Sequence, residues 1–172
     1  MLTLAEAEFF RVRWSAAILT ETERAIARLL AARGFADAET RASRAVAAMT
    51  LAFPEANVKV SDTDRMEGEL PDEGDRHVIV AARMSHAALI VTENLRHFPT
   101  AILQSCNLEV KNADSFIADT LDLDIGRAVD AMRRMRIRFN NPAISTDSLL
   151  LRMEASGLVQ TVDLLNSYKN SL

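Results

Sequence analysis

One cysteine in 172 residues removes two kinds of chemistry at once. Cys106 has no second thiol with which to form an intramolecular disulfide, and it cannot build a Cys-rich zinc site, so the chain suits a reducing cytosol. With 5 Gly and 4 Pro, disorder and low complexity are poor explanations of the sequence. No apolar run approaches the ~20 residues of a membrane-spanning helix. Glu6 and Glu8 stand where a signal peptide would be basic and then apolar, so the expected location is cytoplasmic, with no membrane partner. None of the 3 His has metal-ligand spacing to another, which argues against a zinc hydrolase. His77 and His86 are expected on helix surfaces. A basic excess is missing too. The net charge of −4 excludes a general nucleic-acid coat, but not an enzyme that meets a phosphodiester through cations held by carboxylates.

What is present fits one domain, or a domain with a small appendage, with 49% hydrophobic residues to fill a core. Leu2 to Phe10 has a short helical pattern. Ser15 can cap a helix running to Arg33 and closed by Gly34, with Ile18, Leu19, Ala25, Ile26, Leu29 and Leu30 as its apolar stripe. Glu21 and Glu23 flank that stripe on opposite sides, and periodicity does not choose between them. Asp37 opens a third helix, ending before Pro54, with Ala42, Val46, Ala47, Met49 and Leu51 on its buried side. Residues 57–60 suggest a short strand, and 62–70 a brief helical turn.

The run from Pro71 to Pro99 organises the chain. Asp72 is a natural N-cap, and Asp75 falls at the third helical position, near the positive helix end. Capping alone would account for both. Yet Asp75 lies one turn before Val78 and Ile79, on the face that must be buried, and a carboxylate at a core edge needs a partner or a metal. Ala88 to Val91 is unbroken apolar, as in a parallel strand covered on both faces. Thr92 and Asn94 follow at its carboxyl end, where open α/β sheets bind ligands. Beyond it come a turn and short helix to Cys106, a strand at 108–111, and a helix at 113–121 capped by Asn112. Three more helices are expected at 124–138, 145–155 and 158–169, broken by Asn140-Asn141-Pro142 and Gly157.

These motifs resemble the PIN-domain ribonucleases, the fold of VapC-type toxins. The matching residues are Asp75, the run Val78 to Ala82, Ile90-Val91-Thr92, Asn94 and Phe98. Upstream, Trp14-Ser15-x-x-Ile18-x-x-Glu21 is similar to the family's Trp-Ser-x-x-Ile-x-x-Glu helix, which selects Glu21 as the inward carboxylate. The Asp114-Ser115-Phe116 helix and the helical tail resemble a subgroup with a C-terminal extension. The implied fold is α/β: a three-layer α/β/α arrangement with a short parallel sheet whose first strand is missing, plus that extension. The implied division is an N-terminally truncated PIN-like domain at 1–121 and an extension at 122–172. Two departures stand out. The first strand and its Asp have no counterpart, and His97 occupies a turn that usually carries an Asp.

The resemblance implies a metal-dependent endoribonuclease, a toxin of a type II toxin–antitoxin system, using Mg²⁺ or Mn²⁺ held weakly. Its ligands would be Glu21, Asp75 and Asn94 with Asp72 supplementary, and Thr92 supporting a ligand or bound water. Glu21, Asp75 and Asn94 would be the catalytic set, with activity impaired by the missing Asp. The implied partners are an RNA substrate, a cognate antitoxin and a second copy in a homodimer. The alternative is a degenerate PIN module that binds antitoxin or RNA without cutting. Arg127, Arg134 and Arg138 share one helical face and are candidate RNA or partner contacts, against the plainer reading of a solvated face.

Overall fold

Helices dominate because apolar residues recur at helical spacing and most segments carry their own start signals. The computed structural model describes residues 1–61 and 70–172. Its elements are α1 (Leu2–Glu6), α2 (Ala16–Ala32), α3 (Ala38–Ala52), α4 (Arg76–Met84), β1 (Leu89–Val91), α5 (Thr100–Ser105), β2 (Glu109–Lys111), α6 (Ala113–Leu123), α7 (Ile125–Arg138), α8 (Thr146–Ala155) and α9 (Val159–Asn166). Ser15 Oγ accepts the Ile18 N–H at 3.3 Å, and Gly34 leaves α2 in the left-handed region at φ 84°. Such a cap contributes about 1 kcal/mol. Asn112, Asp124 and Ser145 cap α6, α7 and α8 in the same way.

β1 and β2 pair as a two-stranded parallel sheet. Its ends are marked by the Glu109 N–H donating to Ala88 O at 2.9 Å and the Thr92 N–H to Lys111 O at 3.0 Å. A mostly helical chain with a short parallel sheet agrees with the PIN-like α/β reading. The chain forms two compact units, one of Met1–Arg11, Val91–Leu95 and Lys111–Leu172, the other of Val12–Ile90 and Arg96–Val110. In the first, Leu4 of α1 joins Ile117, Leu121, Met132, Leu150 and Leu165 in one core. In the second, Ile79 and Val80 of α4 pack with Ile90, Phe98, Leu103 and Leu108.

Three expectations need correction. The strand at 57–60 reduces to one parallel bridge between Trp14 and Asn57. A ladder cannot extend there, because Ser15 already caps α2 and the partner backbone turns helical. Leu51 is 84% exposed and Ala47 is exposed as well, whereas Ala42 is fully buried. Nine residues at about 100° each put Leu51 opposite Ala42, so no single face of α3 holds both. The helix at the N-terminus also stops at Glu6 rather than Phe10. The turn expected at 62–70 lies outside the described residues, save Leu70.

One buried charge ties the first unit together. The Asp114 carboxylate accepts the Thr161 and Gln160 N–H groups at the start of α9, both at 2.9 Å, while the Thr161 hydroxyl donates to Asp114 O. Burial raises its pKa, but the hydrogen bonds from Thr161 and Gln160 outweigh burial and hold the carboxyl below its usual range. A depressed folded value means that the stabilisation is complete above the ordinary carboxylate pKa and is lost as pH falls through the folded one. Asp114→Ala should cost roughly 2–4 kcal/mol in urea unfolding, as a lost helix cap plus charged hydrogen bonds. Its stability should also decline less steeply than the parent's on acidification below about pH 4. Equal unfolding midpoints for the two proteins would refute this.

Candidate metal centre

The entry to α4 is built so that one carboxylate caps and another is released. Asp72 is extended, at φ −132° and ψ 111°, and its Oδ1 accepts the Gly74 N–H at 2.8 Å to form a 3-10 turn, Glu73–Asp75. Glu73 is engaged by Arg76 and by the Leu70 N–H, and the Arg76 hydrogen bond holds its carboxyl below the usual range. Asp75 stands at the N-cap of α4 without making a capping bond. Its Oδ2 meets His97 Nδ1 at 2.7 Å instead, and Asp72 Oδ2 lies 3.8 Å from the same nitrogen. Phe98, buried beside His97 in sequence, anchors the turn in the core of the second unit.

Asp72, Asp75 and His97 thus bring three ligand atoms within 4.8 Å of one another. Ligand atoms around an octahedral ion with bonds near 2.1 Å stand about 3 to 4.2 Å apart. The 3.8 Å between Asp72 and His97 falls in that range, whereas Asp75 and His97, at 2.7 Å, must part slightly to admit an ion. Two carboxylates supply hard oxygen donors and partial neutralisation. His97 adds a borderline nitrogen donor, favouring Mn²⁺ or Zn²⁺ relative to an all-oxygen site. Asp75 and His97 side chains are 22% and 21% exposed, enough for an ion to enter. An ion entering between them must displace the proton shared by Nδ1 and Oδ2.

The other expected site residues are distributed as follows. Glu21 is exposed on α2, outside that mutual cluster, and its Oε2 lies 3.4 Å from His77 Nε2 on α4. Glu23, the other candidate, is half-buried. Thr92 and Asn94 belong to the first unit, where Thr92 Oγ1 accepts the Asn94 N–H at 3.1 Å. The neighbouring Glu93 accepts the Ala113 N–H at 3.1 Å and anchors the start of α6. Of the arginines, Arg127 donates to Ala7 O and lies 4.8 Å over the Phe9 ring. Arg134 pairs with Asp130 at 2.6 Å and Arg138 with Glu6 at 2.8 Å.

Two histidines enter the picture that spacing did not select. His97 was a departure from a motif rather than a ligand, and the signal was its position just after β1, where an acid is usual. His77 was expected on a helix surface, but its Nε2 is buried. Neither carries a second histidine at a recognisable interval.

A mostly helical chain with a short parallel sheet, and with carboxylates gathered at one helix entry, is consistent with a PIN-like α/β fold. Residues 1–96 match the family model described as PIN domain, and residues 113–167 match that of the VapC50 C-terminal domain. The first match covers more than half of the chain, and the chain belongs to the PIN-domain family. The "Putative ribonuclease VapC50" of Mycobacterium tuberculosis (strain ATCC 25618 / H37Rv) is 45% identical over 49 residues, 28% of this chain. That stretch spans only 29% of the relative's length. No solved structure matches the chain.

Calorimetric titration with Mn²⁺ should show binding that Asp75→Asn weakens by roughly tenfold or more. His97→Asp should move the preference towards Mg²⁺ by adding a hard anionic donor. Identical isotherms for the three proteins would remove the cluster from consideration.

Proposed function

We propose that this chain is a metal-dependent endoribonuclease of the VapC-like PIN type, acting as the toxin of a type II toxin–antitoxin pair. The observation that carries the reading is the Asp72–Asp75–His97 cluster at the entry of α4 in a PIN-family chain. The relative's description as a putative ribonuclease supports the substrate class. A bound Mg²⁺ or Mn²⁺ would neutralise phosphate charge and lower the pKa of a water. Asp75 and Asp72 would hold the ion, with Glu21 supplying a further carboxylate from α2. His97 would add its Nδ1 as a third donor once the proton it shares with Asp75 is displaced. Asn94 remains a proposed ligand from the turn after β1, with Thr92 fixing that turn through its hydrogen bond to the Asn94 N–H. The partners that follow are an RNA substrate, an antitoxin protein and a second copy of the chain, and the setting is the cytoplasm.

Activity of the chain alone should be weak. The described cluster offers two carboxylates and an imidazole, and a smaller negative charge binds a hard cation less tightly. The same observation favours a second reading, in which the domain binds antitoxin or RNA without cutting. Incubation with RNA and Mn²⁺ separates the two. Slow cleavage that Asp75→Asn abolishes supports the enzyme, whereas RNA retention without cleavage supports the binding module.

Arg127, Arg134 and Arg138 are proposed as phosphate contacts on α7. Arg134 and Arg138 already have surface partners worth roughly 0–1 kcal/mol each, so reversing their charge should leave folding intact. Arg134→Glu with Arg138→Glu should weaken RNA binding and flatten its salt dependence in a filter-binding assay. Unchanged binding would return these residues to the role of a solvated face.

A further inference from the structure

α1 uses its sides differently. Leu4 is fully buried in the core of the first unit. Thr3, Glu6 and Ala7 recur at three- and four-residue spacing and meet α7, where Ala131, Arg134 and Arg138 also share a face. The short side chains leave the space between the two helices unfilled. A cavity of about 170 Å³ remains there, with two guanidinium groups and one carboxylate around it. Arg127, which donates to Ala7 O, ties the end of α1 to α7. Arg138 Nη1 donates to Glu6 Oε2 at 2.8 Å, and Arg134 Nη1 pairs with Asp130 Oδ2 at 2.6 Å. A guanidinium carries several N–H groups beyond the one so engaged. Glu6 Oε1 accepts no hydrogen bond among the described residues, and all three charged side chains are exposed to solvent.

A phosphate by itself fits this lining poorly, because Glu6 repels it. A ligand with N–H donors on one edge and an anion at its other end satisfies all three charges, and nucleotides have that form. The cavity is smaller than the roughly 300–1,000 Å³ of sites for drug-sized ligands, so it takes one planar base with the sugar and phosphate at its mouth. We propose that the α1–α7 cavity holds one unstacked guanine of the RNA, with Glu6 reading the base and Arg134 and Arg138 holding its phosphate. An ionised carboxylate only accepts hydrogen bonds. Guanine presents two adjacent donors on its Watson–Crick edge, N1–H and the N2 amino group, which match the two oxygens of Glu6. Adenine and cytosine each offer one amino group beside an acceptor nitrogen that a carboxylate repels, and uracil offers one N–H between two carbonyls. Single-stranded RNA is read through such exposed edges. The exposed Glu6–Arg138 pair contributes little to folding and rearranges easily as the base enters.

The inference rests on the ribonuclease reading for its polymer and deepens it by naming a base, but mononucleotides test it without cleavage. The full chain, with no metal added, is titrated with GMP, inosine monophosphate, AMP, CMP, UMP and inorganic phosphate. NMR follows the alanine methyl groups, those of Ala7 and Ala131 among them. GMP should shift both methyls and bind roughly fivefold or more tightly than the other nucleotides, inosine monophosphate included because it lacks the N2 amino group. Glu6→Gln should abolish that preference and favour AMP, since an amide pairs with adenine through one donor and one acceptor. Arg134→Gln should weaken all the nucleotides alike and keep their order. Ala7→Leu, which fills the cavity, should lose them all. Circular dichroism melts establish that the variants fold. Equal affinity for the four bases, or phosphate that competes as well as GMP, leaves only a charged grip and overturns the proposal. Binding that leaves the Ala7 and Ala131 methyls unmoved overturns it too. RNA cleavage with one sequence preference in both the parent and Glu6→Gln keeps the nuclease reading and rejects the guanine site. GMP selectivity in a chain that never cleaves RNA does the reverse.

Discussion

The hydrogen bond from the Gly74 N–H to Asp72 Oδ1 is small, but the candidate centre depends on it. A helix entry leaves unpaired N–H groups that would draw in the nearest carboxylate. Here Asp72 tightens the entry into a 3-10 turn, and Glu73 is held by Arg76 and the Leu70 N–H. Asp75 is left with a carboxylate that no backbone group claims, close to the positive end of α4. It turns to His97 instead. The same turn presents the Gly74 carbonyl to His77 Nδ1, which leaves Nε2 towards Glu21.

The opposite use of an aspartate appears in the first unit. Asp114 gives both carboxylate oxygens to the first turn of α9 and is fully spent on structure. Its cost of burial is outweighed by the N–H groups it receives. Asp75 and Asp114 both lie at helix starts and both precede apolar runs. What separates them is whether the nearby helix end is already satisfied. Where it is, the carboxylate is available for chemistry; where it is not, the carboxylate becomes a cap.

Much of this was legible in the residues. Ser15 and Gly34 bound α2, Asn112 caps α6, and Gly157 with Asn140-Asn141-Pro142 divides the tail, all by local chemistry that acts within a few residues. The α4–β1 unit, and the place of Asp72 and Asp75 at its entry, followed from the same signals. Burial on α3 differs because five small or apolar residues do not all fit one face, and nine residues, about two and a half turns, put Leu51 opposite Ala42. The strand at 57–60 was misread because β-branched residues state a preference, whereas a ladder needs a partner that stays extended. Glu21 could not be told from Glu23 by period, and only the approach of α4 gives Glu21 a neighbour at 3.4 Å.

The capped starts of α2, α6, α7 and α8, the apolar run that becomes β1, and the meeting of two carboxylates at one helix entry were all written in the residues themselves. Those properties are local: they depend on capping groups, turn residues and spacing within about two helical turns. Tertiary structure decided the partners. His97 lies 22 residues from Asp75, and His77 lies 56 residues from Glu21, intervals that carry no period and no motif. Side chains that distant meet only because the cores under α4 and β1 bring their elements together, and a hydrogen bond or a metal ligand is set by that final placement.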